Sequence, residues 1–142
     1  MTLVWEDVRA ELEFRVQSFE AVWALLWHAL GGVLVLSLVE PLDRNLQLTE
    51  ASDALGLALD ELERVRPEVQ FLCLPGEPGQ VPLDDVGGYR SGICLLLEAG
   101  RGEITRMLRE ESGELALDEL AALASVASLV GDAEQLVSEP LR

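Results

Sequence analysis

The stretch WEDVRAELEFRVQSFEAVWALLWHALGGVLVLSLV, residues 5–39, decides the predicted fold. Apolar residues recur at spacings of three and four over residues 5–30, which is typical of one apolar stripe on a long amphipathic helix. The glycine pair at 31–32 favours the end of that helix. Residues 33–39 follow as an apolar run with one serine, and we interpret them as a buried strand. A long helix leading into a strand indicates a fold that mixes helices with a sheet.

The rest of the chain continues this alternation. A turn at 41–45 precedes a second helix, predicted from Ser52 until Pro67 stops it. A last helix is predicted over 118–130, with Asp118 as its cap and Asp132 capping a further turn. The predicted strands are 33–39, 46–49, 69–74, 92–98 and 103–108, the last two joined by a glycine turn at 99–102.

These elements predict an α+β fold for residues 1–142 as a single domain. The sheet has about five strands, is largely antiparallel, and is packed by a long N-terminal helix, a middle helix and a C-terminal helix. Residues 103–108 are also compatible with the start of a helix, so this strand is the least constrained of the set.

The charge balance excludes several classes of partner. The 142 residues carry 26 acidic side chains against 10 basic ones, for a formal net charge of −16, and every basic residue is an arginine. Nucleic acids and anionic membranes repel such a chain, whereas a basic protein surface attracts it over a long range. The same charge also keeps a chain with 49% hydrophobic residues in solution. Partner attraction and solubility therefore both stand as interpretations of the acidity.

The sequence also predicts a cytoplasmic location. Its N-terminus lacks a basic segment and carries Glu6 and Asp7, unlike a signal peptide. No uninterrupted apolar run reaches the roughly 18 residues needed to cross a bilayer.

Few side chains have the setting that chemistry requires. Cys73 and Cys94 lie in apolar runs and are interpreted as core residues, and the lone His28 as a packing residue on its helix. The acid pairs at 84–85 and 110–111 lack metal-loop spacing, and the glycines at 87–88 lack a phosphate-binding frame. We predict no catalytic residue, no metal site and no cofactor.

Residues 48–65 have the outline of a helix-turn-helix, but its second helix would present three carboxylates to DNA phosphates. A plain helix is the better interpretation, and those carboxylates instead suit a basic protein partner. Trp23 is expected in the core, while the other two tryptophans are candidates for interface anchors. The candidate partner-binding residues are Trp5, Trp27, Asp60, Glu61 and Glu63.

The sequence LALDEL occurs at 57–62 and again at 115–120, and at the same offset 33–40 aligns with 91–98. A true repeat would give both halves the order strand, turn, strand, helix. Chance recurrence in a chain rich in leucine and acids is the other interpretation.

Residues 91–130 present an apolar strand, a glycine turn, a second strand and a helix that opens with Leu-Asp-Glu-Leu. This order resembles the small domains of type III secretion chaperones and the YbjN proteins. The resemblance implies an acidic cytoplasmic domain, commonly homodimeric, that binds partner polypeptides without hydrolysing nucleotides.

The predicted function is accordingly a non-enzymatic, acidic protein-binding module: a chaperone, an adaptor or an immunity-type inhibitor. A small regulatory or ligand-sensing domain is the alternative. A homodimer is predicted because the first and last helices carry more apolar surface than so short a chain is expected to bury.

Overall fold

Among the residues that the structure describes, four long helices form a bundle. The computed structural model describes Trp5, Arg9, Ala10, residues 19–71 and residues 85–138. Short 3₁₀ helices, Pro67–Phe71 and Ser112–Glu114, follow the second and third long helices, and Trp5, Arg9 and Ala10 are also helical. The long helices are α1 (Phe19–Ser37), α2 (Leu42–Val65), α3 (Val86–Glu110) and α4 (Leu117–Ser138).

The predicted α+β fold is wrong, because none of the described residues forms a β-strand. Residues 33–37 complete α1, and residues 46–49 lie in α2. Residues 92–108, predicted as two strands and a turn, are continuous helix within α3. Of the predicted strand at 69–74, the first three residues are 3₁₀ helix and the others lie outside the described residues.

The helical structure of residues 33–37 and 86–110 also bears on two relationships inferred from the sequence. The strand-turn-strand order that carried the resemblance to secretion chaperones is absent from residues 91–110, which are helical. The proposed repeat fails in the same way, since 33–40 ends a helix and 91–98 lies inside one.

Burial explains why α1 resembled a helix followed by a strand. Nearly every residue of α1 from Phe19 to Val33 is buried, so the helix is apolar around most of its circumference and shows little periodicity. A short apolar run of this kind is compatible with a buried strand or a buried helix. The two glycines do not end the helix; both are buried within it.

Each helix packs against two others, and every packed pair is antiparallel. α1 contacts α2 and α3, and α4 contacts the same two helices. α1 and α4 therefore lie diagonally opposite each other in the bundle, and so do α2 and α3. The Trp23–Glu63 and Arg66–Glu119 hydrogen bonds join opposite ends of the helices concerned. The same holds for Arg90 of α3, which donates to the Val137 carbonyl of α4. The end of α2 and the start of α3 therefore lie at opposite ends of the bundle.

Helix boundaries follow local chemistry. α2 begins at Leu42, earlier than the predicted Ser52, and ends at Val65, just before Pro67 as predicted. At the start of α3, the Asp85 carboxylate accepts hydrogen bonds from the amides of Gly87 and Gly88 at 3.2 and 3.0 Å. The glycines at 87–88 therefore lie in the capped first turn of a helix.

α4 covers the predicted 118–130 and continues to Ser138. Asp118 lies inside its first turn and Asp132 lies in its interior, so neither residue is the predicted cap. Instead Glu119 folds back to accept a hydrogen bond from the Ala116 amide at 3.0 Å, which is half of a capping box.

Two arginines tie the helices together at opposite ends of the bundle. Arg66, after α2, donates to Glu119 of α4 at 2.5 Å and stacks over the Phe19 ring of α1 at 4.6 Å. At the other end Arg90 of α3 pairs with Glu40, which follows α1, and donates to Val137 at 2.6 Å. These charge-assisted contacts connect helices that are distant in sequence.

Two of the described helices are long and apolar enough to cross a membrane by length and composition alone. They are α1, with a hydropathy of 1.7, and α4, with 1.4. Of the α1 window 72% is buried, as in the core helix of a soluble bundle, whereas 33% of the α4 window is buried. This is weak support for a membrane contact, and the cytoplasmic location stays a prediction.

Candidate partner-binding site

Trp5 lies in the core of the folded domain. Its indole is 6% exposed and contacts the Tyr89 ring edge to face, with the ring centroids 4.9 Å apart. A methyl group at residue 92 would lie 1.7 Å from Cδ1 of Trp5, and one at residue 32 would lie 2.9 Å from its Cη2 atom. Gly32 of α1 and Gly92 of α3 therefore form a slot that only glycine permits. While Trp5 fills this slot, its indole is not accessible to a partner.

Trp27 is half-buried at the surface of α1. It stacks on Trp23, with ring centroids 6.0 Å apart, and meets the edge of His28 at 5.1 Å. Trp23 is buried as expected, and its indole N–H donates to Glu63 at 3.2 Å. The exposed part of Trp27 is thus the one tryptophan surface, among the described residues, that remains open to a partner.

The three predicted acids on α2 have different surroundings. Glu63 accepts the hydrogen bond from Trp23, so it helps to join α1 to α2. Glu61 pairs with Arg64 at 2.8 Å, one helical turn away. Asp60 is exposed and forms no ion pair with any described residue. Of the three, Asp60 is therefore the one whose full charge faces solvent.

Asp60 belongs to a larger surface that sequence reasoning missed. The side of α2 turned away from the bundle carries residues at alternating spacings of four and three, and all of them are exposed. Two are leucines with large exposed areas, Leu46 at 67% and Leu57 at 57%. We call this surface the α2 outer face; its residues are Leu46, Glu50, Asp53, Leu57 and Asp60.

A signal for the α2 outer face was present in the sequence. Leu48, Leu55 and Leu62 recur at intervals of seven and mark the buried stripe. Leu46 and Leu57 lie off that stripe, which marks them as apolar residues on the solvent side. The predicted strand at 46–49 and the late helix start hid this pattern.

The arginines from Arg64 to Arg109 form ion pairs with glutamates of the same bundle. Each of the six arginines from Arg64 to Arg109 lies within ion-pair distance of a glutamate. Arg106 alone contacts three, at 2.5 to 3.2 Å, and these contacts raise its pKa. Among the described residues, no ion pair involves Glu50, Asp53 or Asp60. Three of the described carboxylates that have no ion pair therefore lie together on the α2 outer face.

A cleft of about 280 Å³ lies between α3 and the end of α4. It contains Cys94, the one cysteine among the described residues, and burial with the nearby Glu134 carboxylate raises the pKa of the Cys94 thiol. A raised pKa keeps sulfur in the weakly nucleophilic thiol form. The cleft is lined by Arg90, Ser91, Cys94, Leu95, Glu98 and Ser138.

His28 is buried in α1, and its Nε2 atom has no hydrogen-bond partner among the described residues. Burial lowers the pKa of its imidazole. The described residues also contain no group of three metal-ligating side chains.

Comparison with known protein families, with curated proteins and with solved structures finds no match to this chain.

Proposed function

We propose that this protein is an acidic, non-enzymatic helical module that binds a polypeptide partner with a basic surface. The observation that carries the proposal is the distribution of charge. The arginines from 64 to 109 pair with the domain's own glutamates, while exposed carboxylates on α2 have no arginine. Uncompensated charge of one sign attracts a partner of the opposite sign and accelerates encounter.

The state of the potentially reactive side chains supports a binding role over catalysis. The Cys94 thiol is held protonated by its raised pKa, and His28 is buried with its pKa lowered. A nucleophile and a base have to lie within hydrogen-bond reach of each other. Glu134 and Glu98 are the carboxylates near Cys94, and neither forms a hydrogen bond with its thiol among the described residues.

A small-molecule site has weaker support. The cleft beside Cys94 has a volume of about 280 Å³, at the lower limit of ligand pockets. Its one basic group, Arg90, is engaged by Glu40 and by the Val137 carbonyl. A ligand-sensing role is therefore the alternative that the following experiment distinguishes from protein binding.

The proposal is tested by cross-linking the protein in its native cells and identifying the linked polypeptides by mass spectrometry. Each candidate is then purified, and its association with the full chain is measured by titration calorimetry at low and high ionic strength. We expect a binary complex with a basic polypeptide that weakens as salt rises. Failure of every purified candidate to associate, or a small molecule retained at one per chain in native mass spectrometry, would contradict the proposal.

A further inference from the structure

We infer that the α2 outer face is the docking surface, and that its occupant is a basic amphipathic helix lying along α2. This inference rests on the proposed protein-binding function and adds to it a surface and a partner chemistry.

The register is that of a helix–helix seam. Residues 46, 50, 53, 57, 60 and 64 follow one another at spacings of four and three, and all are exposed. This spacing marks the contact line of paired helices. The line runs along most of α2, and Leu46 and Leu57 lie roughly 16 Å apart on it, at about 1.5 Å per residue.

The residues on this line determine which partner fits. Leu46 and Leu57 each expose more than half of their surface, and they supply two apolar anchors. Glu50 and Asp53 lie between the two leucines, and Asp60 follows the second. An apolar partner would remove these carboxylates from water without compensation, which is costly. A helix with basic residues opposite the acids and apolar residues opposite the leucines compensates the carboxylates and also covers the two leucines.

The same charges exclude a second copy of this face as the occupant. Two α2 outer faces laid together would bring carboxylates against carboxylates, and like charges at close range are repulsive. Arg64, at the end of the line, does not compensate them because it pairs with Glu61.

The test uses a synthetic helical peptide as the probe. It carries leucines with the eleven-residue separation of Leu46 and Leu57, arginines at the positions that face the three acids, and alanine elsewhere. A scrambled peptide of the same composition controls for charge alone. Binding to the full-length protein is measured by fluorescence anisotropy at physiological ionic strength.

Two sets of variants locate the surface. Leu57→Gln and the pair Asp53→Arg/Asp60→Arg alter the α2 outer face, while Leu117→Gln and the pair Asp118→Arg/Asp132→Arg make matched changes at exposed positions of α4. Circular dichroism of each variant verifies that the helical content is unchanged.

We expect the designed peptide to bind at least about tenfold more tightly than the scrambled one, and each α2 variant to lose about tenfold or more of that affinity. The α4 variants are expected to bind as the unaltered protein does. Equal binding of both peptides, or equal losses in the α2 and α4 variants, overturns the inference.

The outcomes also separate this inference from the proposed function. If a cross-linked partner associates with the protein but the α2 variants bind it normally, the function stands and the docking surface is wrong. If neither the peptide nor any purified candidate associates, both fail.

Discussion

At the residue scale, Gly92 shows how a single position shapes this bundle. Its lack of a side chain lets the Trp5 indole lie directly on α3, where a Cβ atom would overlap Cδ1 at 1.7 Å. Small residues permit such close approach, and overpacking a filled site forces side chains and backbone to move. Trp5 is thereby anchored to α1 and α3.

Gly92→Ala is expected to lower the free energy of unfolding by about 1–3 kcal/mol, the usual cost of overpacking. Gly102, in the same helix, has open space around its Cα, so Gly102→Ala is expected to raise stability by about 0.5–1 kcal/mol. Urea denaturation of both variants measures the contrast. Equal effects of the two substitutions would show that the Trp5 slot does not exist.

His28 gives a second residue-scale prediction. Burial lowers the pKa of its imidazole in the folded protein below the ordinary value of about 6.5, so the unfolded chain binds a proton first as pH falls. The stability linked to His28 is therefore complete above about pH 6.5 and is lost as pH falls below that value.

His28→Phe keeps a ring of similar size beside Trp27 and removes the titration. We expect the unaltered protein to lose more stability than this variant between about pH 7 and about pH 5. The comparison subtracts the titration of the carboxylates, which both proteins share. Parallel stability curves over that range would contradict a buried neutral imidazole.

At the scale of elements, the Arg90–Glu40 pair holds the starts and ends of three helices together. The side chains are 15% and 9% exposed, so removing one partner leaves a buried charge unpaired. We expect Arg90→Met to cost about 3 kcal/mol and the double variant Arg90→Met/Glu40→Leu to recover much of that loss.

Arg109→Met is the matched control on the same helix. The Arg109 side chain is 72% exposed and lies 3.8 Å from Glu110, so its loss is expected to cost about 0.5 kcal/mol or less. Denaturant titration of the three proteins completes the comparison. An Arg90→Met variant as stable as Arg109→Met would mean that the pair does not hold the helix ends.

Comparison of the predicted and observed elements shows which parts of the fold could be predicted from the sequence. The C-terminal helix and the stop before Pro67 were predicted correctly, because proline and a long helical pattern are strong local signals. The five strands were wrong, because residues 33–37 and 92–98 are apolar runs too short to separate a buried strand from a buried helix. Glycines at 31–32 and 100–102 were interpreted as helix ends and turns, whereas in the bundle Gly32 permits the close approach of Trp5 and Ile93, and Gly100 and Gly102 lie inside α3.

The sequence could not show which candidate site residues are accessible, because contacts between distant parts of the chain decide this. Asp60 is exposed on α2, but Glu63 is committed to Trp23, a contact between helices that are distant in the sequence. The burial of Trp5 depends on Gly92 of a different helix, so it cannot be predicted from the residues next to Trp5 in the sequence. Leu46 is placed on the same helix face as Leu57 only when α2 begins at Leu42, ahead of the predicted start at Ser52.

At the scale of the whole molecule, the homodimer predicted from the sequence stays a prediction, and it has a distinctive salt dependence. Large apolar side chains are exposed at the end of α1, Leu34, Leu38 and Val39, and at the start of α4, Leu117. Two chains of charge −16 repel each other, so added salt should strengthen a dimer formed by apolar contact.

Light scattering across micromolar concentrations is expected to give twice the 15.5 kDa chain mass, with a larger dimer fraction at higher ionic strength. A mass of 15.5 kDa at every concentration and salt level would contradict the dimer. The trend is opposite in sign to that expected for a basic partner, so the two associations can be separated.

The central claim, that acidity serves the capture of a basic partner, is tested most directly by the association rate constant as a function of ionic strength. Stopped-flow fluorescence with the identified partner or the arginine-containing peptide gives this rate constant between about 0.01 M and about 1 M salt. The screening length falls over that range from about 30 Å to about 3 Å. We predict a steep fall in the rate constant, with Asp53→Arg/Asp60→Arg reducing both the rate at low salt and the slope. A rate constant independent of salt would contradict the claim and leave solubility as the role of the charge.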